Sequence, residues 1–273
     1  MLLNDELKSK PETQQQLIDL WCDVFRDEEE YAALILPYLG EFDCFAEMSD
    51  GKIISAFYLL PCVINCGKNE YKGRYLYAAA TYKAHRSKGI MSKLINEALE
   101  YSRLNYDFIS LVPANESLYN YYSKFGFKST MYRYRSFVKK NKSAPVNNSY
   151  TVLDNLDSFE NIRKYFCSQG YEQGALSYAY DCYTFSNSTF CRLSETGVFC
   201  INNEQNEVIE FLSSNNKNGF DSADMLASLG ADTTVYSPFS LTPDSVKEKC
   251  GMTVMFNEKI AEINNIYMNL TLG

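Results

Sequence analysis

The sequence predicts an α/β (α+β) fold: a mixed central sheet flanked by helices, followed by a second, smaller α+β domain. Three observations predict it. Helically spaced apolar residues at Gln14–Phe25 and Gly89–Arg103 alternate with extended runs at Phe42–Met48, Ile53–Cys66 and Tyr71–Thr81. Phe108–Val112 is short and almost wholly apolar, as a strand buried in the middle of a sheet should be. Lys139–Tyr150, KKNKSAPVNNSY, is polar, carries one Pro and reads as a linker.

Taken in order, Leu17, Ile18, Leu20, Trp21, Val24 and Phe25 form the apolar stripe of a first helix. Glu28–Leu36 continues as a second, stopped by Pro37. Ser49-Asp50-Gly51-Lys52 supplies the turn of a hairpin between the first two strands. Tyr71–Thr81 is a further strand, and the helix after it buries Ile90, Met91, Leu94, Ile95, Ala98 and Leu99. Ser117–Lys124 is helical and ended by Gly126, and Arg133–Val138 closes the sheet. The division is therefore residues 1–140, a linker at 141–150 and a second domain at 151–273.

In that second domain Phe159–Cys167 and Ala223–Leu229 read as helices. Phe190–Cys200, Glu207–Leu212, Thr233–Tyr236 and Met252–Phe256 read as strands. The order echoes the first half, with Lys249-Cys250-Gly251-Met252 standing where Lys124-Phe125-Gly126-Phe127 stood. A degenerate second copy of the first fold and an unrelated α+β domain are both open.

The net charge is −8, which disfavours a nucleic-acid partner and tolerates a cationic one. The 9 cysteines are scattered and mostly lie in apolar stretches, so free buried thiols in a reducing cytoplasm are expected. Cys62 and Cys66 have no second pair, and His85 is the only His, so no metal site is expected. No apolar run reaches membrane-spanning length. The sequence sets no oligomeric state and leaves an oligomer open.

Chemistry concentrates in Ala80–Leu94, ATYKAHRSKGIMSKL. A strand ends near Thr81, a loop carries Arg86-Ser87-Lys88-Gly89, and an amphipathic helix starts directly after. Lys83, Arg86, Lys88 and Lys93 cluster there with no acidic residue between them. A helix entry of this kind points backbone N–H groups and the positive end of the helix dipole at one spot, which suits a diphosphate. Gly89 leaves room for the phosphate to approach the backbone. Neither a G-x-x-x-x-G-K-[ST] loop nor a G-x-G-x-x-G fingerprint is present. On these residues alone, a phosphorylated ligand and an ordinary helix with a solvated basic face stand level.

Arg86-Ser87-Lys88-Gly89-Ile90-Met91 resembles the R/Q-x-x-G-x-G/A signature of GNAT-type N-acetyltransferases, departing from it at Met91. The A-T-Y-K-A-H-R stretch is similar to the enhanced-intracellular-survival branch, which includes tandem-GNAT enzymes acetylating aminoglycosides and other amines. Asn115–Phe127, NESLYNYYSKFGF, resembles the helix ending in Tyr-x-x-x-Gly-Phe that follows the fifth strand in these enzymes. The resemblance implies a GNAT fold and acetyl-CoA as co-substrate, without a metal. It implies that the main chain of Ala79, Ala80 and Thr81 pairs with the pantetheine arm, and that Arg86, Ser87, Lys88, Gly89, Ile90, Met91 and Ser92 surround the pyrophosphate. The strands Tyr71–Thr81 and Phe108–Val112 should splay to admit that arm.

Asn115 or Ser117 contacts the pantetheine or merely caps the helix. Tyr122 aligns with the family's general acid, returning a proton to the thiolate expelled when an amine attacks the thioester; the alternative is a packing tyrosine. Glu47 and the terminal carboxylate of Gly273 are the candidates for a base, and His85 belongs to the phosphate side. The activity implied is acetyl transfer to a primary amine of a small molecule or peptide. The alternative is a non-catalytic acyl-CoA sensor, motivated by Met91 and the missing base.

Overall fold

The computed structural model describes residues 1–139, 150–194, 197–214, 232–260, 263 and 265–268. Three short helices come first, α1 (Asp5–Lys8), α2 (Pro11–Phe25) and α3 (Glu29–Ala33). Pro11 at the start of α2 gives up an N–H that would have no partner anyway, and Leu17, Ile18, Leu20 and Trp21 form its buried face. Arg26, left-handed at φ 68°, ends it. Strands β1 (Asp43–Ser49), β2 (Lys52–Cys66) and β3 (Asn69–Thr81) form an antiparallel meander. Helix α4 (Ile90–Asn105) then crosses to β4 (Phe108–Leu111), which lies parallel to β3. Helix α5 (Glu116–Ser123) and strand β5 (Lys128–Val138) complete the first half.

The second half runs β6 (Thr151–Val152), α6 (Asp157–Arg163), β7 (Ser168–Tyr171), α7 (Gln173–Phe185), β8 (Ser188–Ser194), β9 (Gly197–Asn202), β10 (Glu207–Ser213), β11 (Thr233–Ser237), β12 (Val246–Met255) and β13 (Ile266–Tyr267). It repeats the first: β8, β9 and β10 are an antiparallel meander, and β11 lies parallel to β10 as β4 does to β3. The two halves then exchange strands. β12 pairs antiparallel with β4 through Met252↔Leu111, and β5 pairs antiparallel with β11 through Thr234↔Phe137. β12 and β5 also pair with each other.

The sheet thus runs across the polar stretch around residues 139–150, and residues 140–149 lie outside the described ones. Following β12, β4, β3, β2, β7, β13 and β5 leads back to β12, so the strands close a ring. Tyr75, Phe108, Met131, Tyr171, Cys250 and Ile266, from both halves, belong to one core cluster. A second cluster sits under α4 and α5, built from Phe57, Leu76, Leu94, Ile95, Ala98, Leu111, Tyr122 and Phe127.

Several sequence expectations are corrected. Phe190–Cys200 is not one strand but the hairpin β8–β9. Helix α7 and strand β7 were not expected. Gly251 does not end a helix as Gly126 does: it lies mid-strand in β12, at register shifts, where an added Cβ would meet Met131 Sδ at 2.8 Å and the Leu111 carbonyl at 3.1 Å. The Lys249–Met252 echo of Lys124–Phe127 is therefore not a structural equivalence. The expected helix Ala223–Leu229 lies outside the described residues.

Cys66 and Cys167, 101 residues apart, form a disulfide between the ends of β2 and β7, so the cysteines are not all free. Spacing along the chain carries no sign of it, because only the β2–β7 ladder (Cys62↔Tyr171 to Asn65↔Ser168) brings the two together. Cys22, Cys44, Cys62, Cys182, Cys191, Cys200 and Cys250 are free thiols, as expected. No helix among the described residues is long and apolar enough to cross a membrane.

The halves are joined by more than strands. Tyr38 Oη donates to Asp181 at 2.5 Å, and the Gly174 N–H donates to Glu41 at 2.7 Å at the start of α7. Inside the second half, the buried Arg163 guanidinium bridges Glu160 and Glu210, and Tyr267 Oη donates to Glu210 at 2.9 Å. A charge this deep is tolerated only because it is paired on both sides.

Burial pushes the phenols of Tyr58, Tyr77, Tyr178, Tyr183 and Tyr267 well above their ordinary range. A raised pKa in the folded chain gives stability that is complete below the unfolded value near 10 and is lost as pH rises past it. Thermal melts should therefore show Tm falling by about 5 °C or more between pH 9 and pH 11. A flat profile would mean that these hydroxyls are accessible to base.

Candidate active site

β3 and β4 pair only from Gly73↔Phe108 to Tyr75↔Ser110. Beyond that point β3 continues to Thr81 paired with β2, while β4 ends at Leu111 paired with β12, so the two strands part there. A cleft of about 1080 Å³ opens where they part, lined by Leu76, Tyr77, Ala78 and Ala79 on one side and by Leu111, Val112, Ala114, Leu118 and Tyr122 on the other.

The β3 wall is distorted at this point. Ala56 faces Ala80 but Tyr58 faces Tyr77, so β3 carries one extra residue there, and Ala78 sits at φ 51°. A left-handed alanine costs about 1–2 kcal/mol. Such strain persists where the surrounding structure imposes it, and it is common at functional sites. Here it re-aims the backbone of Ala78 and Ala79 at the cleft. Ala80 is buried on the α2 side, against Leu17, Leu20 and Trp21, and Thr81 Oγ1 bonds Ser55 Oγ at 2.8 Å.

After Thr81 a single helical turn, Lys83–His85, leads to Arg86, Ser87, Lys88 and Gly89, all exposed. Arg86 Nε donates to the Thr81 carbonyl at 2.9 Å and folds the loop back on the strand end. Ser87 (φ 60°) and Gly89 (φ 78°) are both left-handed. An added Cβ at Gly89 would meet nothing within 4 Å, so the space in front of the backbone is open. α4 starts at Ile90 with no side-chain cap and no acidic residue in its first turn. Its first intrahelical bond runs from the Lys93 N–H to the Gly89 carbonyl at 2.9 Å, which leaves the N–H groups of Ile90, Met91 and Ser92 without carbonyl partners in the helix. An uncapped helix start, left-handed residues and exposed cations fit a diphosphate.

Two members of the expected basic cluster and its surroundings are placed differently. Lys93 is not free for phosphate, because its Nζ bonds both oxygens of Glu47 at 3.0 and 2.9 Å. Glu47 is thereby held in an ion pair with Lys93 and is not among the residues that line the cleft. Gly273 lies outside the described residues. Met91 packs on the cluster under α4 rather than into the cleft. His85 is half-buried in the turn before the loop.

Asn115 caps α5: its Oδ1 accepts from the Leu118 N–H at 3.3 Å and from Ser117 Oγ at 2.6 Å. Tyr122 lies on the inner face of α5, 7% exposed, with its ring edge-on to Tyr121 at 5.3 Å and to Phe127 at 5.9 Å. Burial, then the neighbouring Tyr121, pushes its phenol up to about 12.

Sequence reasoning missed the rest of the cleft. Trp21 and Phe25 of α2, Asp27 and Glu28 of the turn after it, and Tyr31 of α3 line it from the first half. Tyr183 and Phe185 of α7, Glu204 and Gln205 of the β9–β10 turn, Glu207 and Tyr236 line it from the second half. Trp21 Nε1 donates to Asp27 Oδ2 at 2.8 Å and holds that carboxylate in place. Tyr236 carries the Arg133 guanidinium over its ring at 4.1 Å. The left-handed Arg26 turns the chain toward the cleft and brings the first group there, and nothing in the sequence signals that turn.

A family model described as "Acetyltransferase (GNAT) domain" matches residues 8–130. No curated protein matches the chain at a significant level. Among solved structures, the chain is similar to a probable N-acyltransferase from Enterococcus faecalis, with TM-score 0.66 and 16% identity over 90% of this chain and 71% of that one. It is similar to a GCN5-related N-acetyltransferase from Anabaena variabilis, with TM-score 0.67 and 14% identity over 92% and 72%. It is also similar to Eis1 from Mycobacterium abscessus, with TM-score 0.63 and 10% identity over 90% and 72%. At these identities the likeness speaks to the fold, and it extends over both halves. Residues 8–130 thus match a GNAT acetyltransferase domain, and the mixed α/β fold that these solved structures share runs through both halves of the chain.

Proposed function

We propose that this protein transfers an acetyl group from acetyl-CoA to a primary amine of a small molecule or peptide, by direct attack, with Tyr122 as the general acid. The observation that carries the reading is a cleft where two strands part over a buried neutral phenol, with an uncapped helix entry suited to a diphosphate just beyond the end of one of those strands. Acetyl-CoA, when bound, supplies an activated thioester. The amides of Ser87 to Ser92 hold the phosphates, with Arg86 and Lys88 beside them, and the backbone of Ala79, Ala80 and Thr81 lies alongside the arm.

Tyr122 stays protonated throughout the neutral range and donates its hydroxyl proton to the departing sulfur, and the proton that the attacking nitrogen sheds as the amide forms restores the phenol. Asp27, Glu28, Glu204 and Glu207 supply four carboxylates to the lining. Arg26 and Arg133 are the two basic residues among the described lining, so the acceptor end favours an amine that carries a further positive charge, its attacking nitrogen being neutral when it reacts. The aromatic rings of Trp21, Phe25, Tyr31 and Tyr183 offer faces on which such a group rests. The second half, in this reading a degenerate copy of the first, serves as the acceptor platform.

The test is calorimetry with acetyl-CoA, followed by mass spectrometry of a panel of amines incubated with the protein and acetyl-CoA. We expect one-to-one binding and a gain of one acetyl group on a cationic amine. No binding at millimolar acetyl-CoA would remove the reading. Binding without any acetylated amine would favour an acyl-CoA sensor instead.

A further inference from the structure

Ser92 lies in the first turn of α4 and Tyr121 lies on α5, directly before Tyr122. Ser92 Oγ and Tyr121 Oη are 3.1 Å apart, 29 residues apart in sequence. The Tyr121 ring is also fixed edge-on against Phe125 at 5.2 Å. A serine hydroxyl has one proton to give and two lone pairs to receive. If Ser92 donates to Tyr121, its proton is spent. If Tyr121 donates to Ser92, the serine proton is left to point along the open end of α4. Phosphate oxygens only accept hydrogen bonds, so an anion at that end selects the second arrangement, and a chain of aligned hydrogen bonds strengthens itself.

Resting on the acetyl-CoA reading above, we propose that Tyr121 is a positioning residue of the cofactor site: its phenol donates to Ser92 Oγ and thereby commits the Ser92 hydroxyl to a diphosphate oxygen. The same bond ties the phosphate-binding turn of α4 to the helix that carries Tyr122. The distance between the diphosphate anchor and the proton donor is then set by a polar contact as well as by packing on the sheet. Nothing in the R-x-x-G motif encodes this link; it arises where two helices meet.

The experiment titrates the full chain and its variants with acetyl-CoA, and separately with acetyl-pantetheine, which has the thioester arm but no diphosphate. Tyr121→Phe and Ser92→Ala should each weaken acetyl-CoA binding about tenfold, as loss of a hydrogen bond to a charged group does. The double variant should be no weaker than the weaker single, because both remove one chain of bonds. Ser92→Thr, which keeps the hydroxyl, should bind as the parent does. Parent and Tyr121→Phe should respond alike to acetyl-pantetheine, and their melting temperatures should agree within a few degrees.

Unchanged acetyl-CoA affinity in Tyr121→Phe, additive losses in the double variant, or a loss on acetyl-pantetheine of the same size would each overturn the proposal. A parent chain that binds no acetyl-CoA overturns the functional reading beneath it. A parent that binds while Tyr121→Phe binds equally well overturns only the role of Tyr121.

Discussion

Replacing Tyr122 by Phe is expected to lower kcat by about 10²–10⁴-fold while leaving acetyl-CoA affinity unchanged, the range that removal of a placed general acid produces. The substitution deletes one oxygen and keeps the ring, so the edge-on contacts with Tyr121 and Phe127 survive. Any loss of turnover then reports the hydroxyl. The pH profile adds an independent readout. Burial holds the phenol near 12, so it remains the proton-carrying form up to about pH 10 and beyond. An alkaline fall in kcat below pH 10 should therefore be absent in the parent as far as Tyr122 is concerned. Tyr122→Phe should lower the plateau without moving the acidic limb. Turnover unaffected by the substitution would reduce Tyr122 to a packing residue.

The second large effect is on folding. A chain ended after Lys142 is expected to yield no soluble, folded protein, although it retains the whole of the matched GNAT domain at residues 8–130. Truncation removes β12, which pairs with β4 (Met252↔Leu111 to Met255↔Phe108) and with β5 and so closes the ring. It also removes Tyr171, Ala175, Tyr178, Cys250 and Ile266 from the shared core. The edge of β4, the end of β2 that pairs with β7, both edges of β5 and an apolar face would be left open to other chains, a recipe for aggregation. Soluble yield and far-ultraviolet circular dichroism of the 1–142 fragment measure this. A soluble fragment with cooperative melting would show that the halves are independent folding units.

What local sequence carries and what it does not can be seen in particular residues. The splayed strands, the loop at Arg86–Gly89 and the helix of Tyr122 were legible because each is a local signal: a helical stripe, a left-handed glycine, an apolar run. Helix α7 was not, because its buried face is made of Gly174, Ala175, Tyr178, Ala179 and Cys182, small residues and tyrosine that form no strong apolar stripe. The seat of β12 between β4 and β5 was illegible for a different reason: pairing between segments more than a hundred residues apart leaves no trace in periodicity. The same reason hid the Cys66–Cys167 bond, and with it the second-half wall of the cleft.

Glu47 shows the reverse case. As a carboxylate on β1 it was a candidate base, and the structure pairs it with Lys93, away from the residues that line the cleft. The carboxylates that do line the cleft, Asp27 and Glu28 after the left-handed Arg26, Glu204 in the β9–β10 turn and Glu207 at the start of β10, sit at the ends of elements, where the local pattern says nothing of a shared site.

A structure of the chain with CoA bound tests the central claim most directly. The account predicts the diphosphate against the amides of Ser87–Ser92, the arm running between Ala79 and Leu111, and the sulfur within about 3.5 Å of Tyr122 Oη, since hydrogen bonds to sulfur run longer than those to oxygen. CoA lodged elsewhere, or seated in the cleft with its sulfur turned away from Tyr122, would contradict it.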